Sequence, residues 1–265
     1  MSRHLLSLFP RNLAYTYGRR PLISSRIRPC VSHPLVHIPS TSTTCTPNYN
    51  MSTSNGNTQK FSNCLRDATG APKDPLVWID LEMTGLDIDG GDTIIEVACL
   101  ITDGELNFVD EKGFHMIVNQ SKEVMDGMGE WCRDHHGKSG LTAAVLDSPH
   151  SLSHASDSLL AYIKSHVPTQ RQALLAGNSV HADRVFLSKY MPEVVEFLHY
   201  RIVDVSTVKE LARRWEPRVF KAASAQKAEA HRALDDIKES VQELMFYREN
   251  WMTPNSKRRM SIGGL

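Results

Sequence analysis

Two acidic residues at the end of an apolar stretch are the first candidates for chemistry in this sequence. Asp80 and Glu82 follow the run LVWI at residues 76–79 and stand two positions apart. In a β-strand, side chains two residues apart lie on the same face, so both carboxylates would face one site. Acids in a buried strand disfavour each other's ionised form unless a cation lies between them. A solvated strand end is the simpler alternative, but the apolar run favours a metal site.

Other residues have the types needed to complete such a site. Asp183 follows a Gly-Asn turn at 177–178 and lies near the start of a predicted helix, where an acid is also common for capping reasons. His231 and Asp236 are five residues apart, about 140° on a regular helix, so they converge only if His231 precedes the helix. Asp235 competes with Asp236 for this role. A lone His at a helix start is more often structural or exposed.

The pattern of apolar residues predicts the elements that position these side chains. Three leading strands are predicted at 76–81, 93–102 and 108–118, as an antiparallel meander. Helices are predicted at 122–133, 140–146, 152–166, 181–190, 206–215 and 234–245, with short strands at 173–176 and 202–205. Leading strands followed by alternating helices and strands predict one α/β domain with a mixed sheet flanked by helices. The polar stretch 221–230 is expected to be a mobile loop.

The distribution of charge divides the chain into two parts. Its 265 residues have a formal net charge of zero, yet residues 1–66 contain seven Arg, one Lys and no acid. The remainder has 22 basic and 30 acidic residues, a net charge of −8. Such a domain lacks the basic stripe that a long nucleic-acid groove needs. No apolar run approaches the roughly 20 residues of a membrane-spanning helix, and the cysteines form no CxxC pair, which argues against a zinc ribbon.

Residues 1–50 are rich in Arg and Ser and free of acids, a composition typical of an organelle transit peptide. We therefore expect import into the mitochondrial matrix, with a plain disordered tail as the alternative. Residues 51–75 are polar and rich in Gly, Asn and Pro, and are expected to form a flexible linker. A start at Met51 would leave a product in the cytosol or nucleus. Residues 251–265 are expected to be a basic flexible tail after a domain at 76–250.

Four motifs in order resemble the DEDDh family of 3′→5′ exonucleases, which has the ribonuclease H-like fold. They are the segments WIDLEMTGLD, GNSVHADRVFL, HYRIVDVSTVKELARRW and HRALDDIKESVQEL. Within that family, residues 76–250 are similar to the oligoribonucleases over essentially their whole length. The resemblance implies a ribonuclease H-like mixed sheet in a single domain. It also implies an exoribonuclease that hydrolyses very short single-stranded RNA, dinucleotides especially, to nucleoside 5′-monophosphates.

The resemblance implies a role for each catalytic residue. Asp80, Glu82 and Asp236 would hold a water-activating divalent ion, and Asp80 would bridge to a second ion supported by Asp183. Carboxylate ligands suit Mg²⁺ or Mn²⁺ better than Zn²⁺. His231 would be the general base, a task that suits a group with a pKa near ambient pH.

The resemblance also implies the contacts with substrate. Leu86 would wedge against the bases and Trp131 would stack on one of them, although core packing is an alternative for Trp131. A terminal phosphate would be enclosed by His136, Ser179, Tyr200, Arg201 and Ser206. The family is homodimeric, which implies that Tyr200 and Arg201 reach into the neighbour's site.

Two other functions remain open at this stage. One is a DEDDh exonuclease that acts on longer DNA or RNA, as ribonuclease T or a proofreading domain does. The segment HYR…DVST separates this case from the first, and preference for substrate length would decide it. The other is a non-catalytic binding protein with the same fold. Intact carboxylates and an intact His231 argue against it.

Overall fold

A five-stranded mixed sheet forms the centre of the computed structural model, which describes residues 64–225 and 233–253. The strands are β1 (Leu76–Met83), β2 (Ile94–Thr102), β3 (Phe114–Ile117), β4 (Leu174–Gly177) and β5 (His199–Asp204). Their spatial order is β3-β2-β1-β4-β5. β1 pairs antiparallel with β2, and β2 with β3, whereas β4 is parallel to both β1 and β5. The predicted antiparallel meander and mixed sheet are confirmed.

Nine α-helices of the described residues flank this sheet. They are α1 (Lys122–Asp126), α2 (Glu130–Lys138), α3 (Leu141–Asp147), α4 (Leu152–His166), α5 (His181–Tyr190), α6 (Pro192–Phe197), α7 (Val205–Trp215), α8 (Pro217–Ser224) and α9 (Ala233–Tyr247). A π-helical turn, Arg248–Met252, follows α9. None of the helices in this part of the chain is long and apolar enough to cross a membrane.

The two faces of β1 pack against different partners. Val77, Ile79 and Leu81 join the larger core cluster on one face, with residues of α4, α5 and α6. Trp78 points to the other face, where it packs with Ile237 of α9. Because side chains alternate along a strand, Asp80 and Glu82 lie on the same face as Trp78. The packing of α9 on that face therefore brings its first turn toward the two carboxylates.

Two predicted elements differ from what the sequence pattern indicates. The strand predicted at 108–118 is paired as a strand only over Phe114–Ile117, because a turn precedes it: the Gly113 amide donates to Asp110 Oδ1 at 2.5 Å. Gly113 has a φ of +65°, which a strand residue does not adopt. The helix predicted at 122–133 is two helices, α1 and α2, because Gly127 ends the first and Gly129 caps the second.

The stretch predicted as a loop at 221–230 is helical in its first part. α8 begins at Pro217, a residue suited to the first turn of a helix, and buries Val219 and Ala223 against Tyr247. This apolar pair makes one face of α8 part of the core, which the polar composition of 221–230 conceals. The rest of that stretch, from 226 onward, lies outside the described residues.

α6 is a further helix that the sequence pattern does not indicate.

Candidate active site

Three carboxylates from two elements converge at the end of β1. Asp80 and Glu82 come from β1 and Asp236 from the first turn of α9, and each offers an oxygen within 4.8 Å of the others. The helix phase that buries Ile237 against Trp78 places Asp236 in this cluster. The neighbouring Asp235 instead lies 3.4 Å from Lys238 Nζ. The structure therefore favours Asp236 over Asp235 as the cluster member.

Asp183 is the fourth acid at this place. It lies in the first turn of α5 and is 7% exposed. Its Oδ1 accepts a hydrogen bond of 3.0 Å from the Leu81 amide, the residue between Asp80 and Glu82 on β1. Its charge acts on Asp80, whose pKa it helps to raise. This hydrogen bond fixes the position of Asp183 relative to the two acids of β1.

Burial and mutual repulsion disfavour ionisation of the cluster when no cation is bound. Burial is the largest cause of the rise in the pKa of Asp80 well above its usual range, and the charges of Asp183 and Glu82 add to it. Burial, followed by the charge of Glu96, raises the pKa of Glu82 to about 7. Burial also raises the pKa of Asp183 to about 7. A divalent cation would cancel the repulsion between the carboxylates and offset the cost of burying their charges. This donor set therefore fits a hard metal ion.

Glu96 is an acid at this site that is not among the residues predicted from the sequence. It lies on β2 directly opposite Glu82 in the strand register, and its Oε1 contacts His115 Nε2. The alternation of side chains along 94–102 predicts which residues of β2 share a face. Only the pairing register between β1 and β2 shows that Glu96 lies opposite Glu82.

The predicted general base His231 lies outside the described residues. The described part of α9 begins at Ala233, two positions after it in the chain, and Asp236 is in the first turn. The role of His231 therefore remains a prediction.

Two of the predicted substrate contacts are exposed apolar side chains. Leu86 is 66% and Trp131 is 63% exposed, so neither is part of the core. Trp131 stacks on His135 with ring centroids 4.9 Å apart and an angle of 7° between planes. His136 is buried, and its Nε2 lies 3.1 Å from the backbone oxygen of Met83 at the end of β1. Burial lowers the pKa of His136, which favours the neutral ring.

A cleft of about 450 Å³ adjoins these residues, and its wall includes Glu82, Glu96, His135 and His136. The cleft thus connects one carboxylate of the cluster with helix α2, which carries Trp131. This space is of the size that small organic ligands occupy in proteins. The arrangement can hold a nucleotide beside the cluster.

Two predicted phosphate-binding residues lie together at the ends of β4 and β5. The hydroxyls of Ser179 and Ser206 are 3.0 Å apart. Both amides donate to Asp204 Oδ1, at 3.0 Å from Ser179 and 2.9 Å from Ser206. Asp204 is the N-cap of α7 and is not among the residues predicted from the sequence. The capping signal Asp-Val-Ser was available there, because Asp is a preferred N-cap residue.

Tyr200 and Arg201 lie on β5, the strand at one edge of the sheet. Tyr200 is 63% exposed, and the Arg201 guanidinium carbon lies 5.4 Å from the centre of its ring. The His199 ring also stacks on the Tyr200 ring, with centroids 4.5 Å apart. The pair thus presents an aromatic ring and a cation at the sheet edge.

The exonuclease family model matches residues 77–244, a span that contains the carboxylate cluster. The chain belongs to the exonuclease family. Curated relatives place it among the oligoribonucleases. "Oligoribonuclease, mitochondrial" of Bos taurus is 53% identical over 192 residues, 71% of this chain and 79% of the relative. "Oligoribonuclease" of Colwellia psychrerythraea is 50% identical over 174 residues, 66% of this chain and 93% of the relative.

Solved structures support the fold of this exonuclease. Exonuclease I of Methylocaldum szegediense is similar with a TM-score of 0.51 and 16% identity, over 68% of this chain and 41% of that one. The Mg²⁺- and Mn²⁺-bound form of S. pombe Pop2p has a TM-score of 0.53 and 11% identity, over 69% of this chain and 87% of that one. The predicted ribonuclease H-like fold, family and enzyme class are confirmed. Family membership and the acidic cluster together indicate that the enzyme uses divalent metal.

Proposed function

We propose that this enzyme, a 3′→5′ exoribonuclease, acts on very short oligoribonucleotides, dinucleotides in particular, and releases nucleoside 5′-monophosphates. The observation that carries the proposal is the convergence of Asp80, Glu82 and Asp236 within 4.8 Å at the border of a nucleotide-sized cleft. The names of relatives that are about half identical support the choice of short RNA as substrate. Preference for substrate length separates this function from action on long DNA or RNA.

Two ions, Mg²⁺ or Mn²⁺, fit the carboxylate donors of the cluster. Asp80, Glu82 and Asp236 would hold one ion, and Asp80 with Asp183 would hold the other. When bound, such ions lower the pKa of a coordinated water and stabilise charge on the attacking and leaving oxygens. The cluster in the described residues consists of carboxylates, which are hard ligands that Mg²⁺ and Mn²⁺ prefer.

In this proposal His231 accepts the proton of the attacking water. An imidazole is suited to the task because its unperturbed pKa is near ambient pH. It lies two positions before Ala233, where the described part of α9 begins. It can converge with Asp236 only if it precedes the helix, because five residues on one continuous helix are about 140° apart.

The proposed substrate contacts are exposed side chains for the bases and two hydroxyls with a histidine for the phosphate. Leu86 and Trp131, both exposed, would contact the bases, and Trp131 already has His135 stacked on its ring. Stacking tolerates any base because every base has a π face. The hydroxyls of Ser179 and Ser206, together with His136, would bind the terminal phosphate. The convergent serines support this assignment.

We further propose that the enzyme is a homodimer in which the edge strand β5 places Tyr200 and Arg201 in the neighbour's site. The exposed ring and the guanidinium at the sheet edge support this assignment. A guanidinium binds a phosphate with two parallel hydrogen bonds, so Arg201 would close the pocket around the terminal phosphate. A closed pocket selects for the shortest chains.

Replacing Arg201 with Ala should reduce dinucleotide turnover far more than turnover of a ten-residue RNA. Only a dinucleotide occupies the scissile site and the closed phosphate pocket at once in the productive geometry. For that substrate, the binding energy lost with Arg201 lowers both kcat and affinity. The measurement is kcat/KM on both substrates. Mixing the Arg201→Ala and Asp80→Asn proteins should restore some dinucleotide activity through hybrid dimers. Equal loss on both substrates, or no rescue despite demonstrated subunit exchange, would show that Arg201 does not act across a dimer.

We also propose that residues 1–50 are a transit peptide for the mitochondrial matrix, followed by a linker at 51–75, with a basic tail at 251–265 after the domain. Curated relatives named mitochondrial support this assignment. A start at Met51 would give a second product for the cytosol or nucleus.

Fusing residues 1–50 to a fluorescent reporter should send it to mitochondria, because an Arg-rich, acid-free segment has the composition that import requires. Imaging against a matrix marker is the measurement. Residues 51–265 fused to the same reporter are the control and should stay outside the organelle. A diffuse signal from the first fusion would remove the transit-peptide assignment.

A further inference from the structure

One carboxylate holds the loop that carries Leu86. This loop, residues 84–93, connects β1 to β2. Asp92 accepts a hydrogen bond from the Thr84 hydroxyl at Oδ1 and another from the Asp87 amide at Oδ2, each 2.8 Å long. Its carboxylate also lies so close to Gly85 that a Cβ there would be 2.3 Å from Oδ2. Asp92 therefore contacts both chain neighbours of Leu86.

The same loop is held at its base and from outside. The Thr84 amide donates to the Thr93 backbone oxygen at 3.0 Å, and Thr84 is only 3% exposed. From the end of α5, the Tyr190 hydroxyl donates to the Asp92 backbone oxygen at 2.7 Å and Lys189 Nζ donates to the Ile88 oxygen at 2.5 Å. Leu86 extends from this fixed base into solvent.

We propose that Asp92 is a positioning residue that fixes Leu86 on the loop that follows the two acids of β1 and thereby contributes to the preference of the enzyme for the shortest RNA. The inference rests on the proposed function, because it takes Leu86 as the residue that contacts the bases. The Leu86 side chain is exposed, so its position depends on the hydrogen bonds that Thr84 and Asp87, on either side of it, make with Asp92. Without the Asp92 carboxylate, the Thr84 hydroxyl and the Asp87 amide lose their common acceptor, and the segment that carries Leu86 is held only by the bonds at the base of the loop and from α5.

The first experiment compares Asp92→Ala with the parent on a dinucleotide and on a ten-residue RNA. The KM for the dinucleotide should rise about tenfold, since a displacement of the order of 1 Å is enough to misplace a bound substrate. The ratio of kcat/KM between dinucleotide and ten-residue RNA should fall by the same factor. The matched control is Asp89→Ala, which removes an exposed acid from the same loop and should keep parental kinetics.

The Asp92→Asn variant distinguishes the positioning role of Asp92 from an effect of its negative charge. Its oxygen can accept from the Asp87 amide while its amide donates to the Thr84 hydroxyl, so dinucleotide KM should stay near the parental value. A KM for Asp92→Asn as high as that for Asp92→Ala would overturn the proposal in favour of a charge effect. If Asp92→Ala does not fold, Thr84→Val removes one of the two donors and should raise the same KM.

A double variant tests whether Asp92 acts through Leu86. Leu86→Ala should itself raise the dinucleotide KM, and adding Asp92→Ala should change it no further, because the two residues act as one unit. Additive effects of the two substitutions would overturn the positioning role while leaving the proposed function intact. An unchanged KM in Leu86→Ala would remove the substrate role of Leu86 from the proposed function, and the inference with it.

Discussion

Cleavage should be lost when Asp80 or Asp236 is replaced with Asn, although the protein still folds. Each substitution removes one ligand from a cluster whose oxygens lie within 4.8 Å of one another. Metal ions contribute several kcal/mol of transition-state stabilisation, so we expect a loss on the order of 10³-fold or more in kcat/KM. The measurement is hydrolysis of a dinucleotide in Mg²⁺, with metal affinity determined by calorimetry.

Asp235→Asn is the matched control for this loss. Asp235 is the adjacent residue on the same helix, but its carboxylate pairs with Lys238 rather than with the cluster. It should therefore keep most of the parental activity. An Asp236→Asn protein with more than a few per cent of parental activity, or an Asp235→Asn protein with almost none, would contradict the assignment of the metal ligands.

The same cluster should make the metal-free enzyme less stable as pH rises. Burial raises the folded-state pKa of Glu82 to about 7, above the value of about 4.3 expected for an unfolded chain. A raised pKa contributes stability that is full below the unfolded value and is lost as pH rises through the folded value. Without metal, Glu82→Gln should therefore melt at a higher temperature than the parent at pH 8 but not at pH 4. In saturating Mg²⁺ at pH 8, the parent should instead melt at a higher temperature than Glu82→Gln.

His231→Ala should lower kcat by about 10²–10⁴-fold, the usual contribution of a positioned general base. Raising the pH should recover part of the lost kcat, because hydroxide from solvent can then attack without a general base. The measurement is the pH profile of kcat for both proteins. His154→Ala removes an exposed histidine from α4 and serves as the control. Parental kcat with an unchanged pH profile would assign His231 a structural role.

The residue pattern by itself predicts the parts of the site that lie close in sequence, whereas the parts that depend on pairing between distant segments follow only from the family resemblance or from the structure. Asp80 and Glu82 follow from the period of two along one strand. The choice between Asp235 and Asp236 required the phase of α9, which is set by Ile237 packing against Trp78, more than a hundred and fifty residues away in the chain. No local pattern encodes that contact.

The supporting residues show the same limit. Glu96 faces Glu82 only through the strand register, and Asp204 brings together Ser179 and Ser206, which are 27 residues apart in the chain. Asp92 belongs to this class as well, because its contacts with Thr84 and Asp87 depend on how the loop closes. The break between α1 and α2 differs, since Gly127 and Gly129 mark it in the sequence.

The most direct measurement of the central claim is kcat/KM for RNA chains of two to twenty nucleotides, with the products identified. A site that encloses a terminal phosphate next to the carboxylate cluster should cleave dinucleotides with the highest kcat/KM and release nucleoside 5′-monophosphates. The value should fall as the chain grows, because longer RNA cannot engage both ends of the site at once. A value that stays constant or rises toward twenty nucleotides would contradict the account and favour an exonuclease for long nucleic acid.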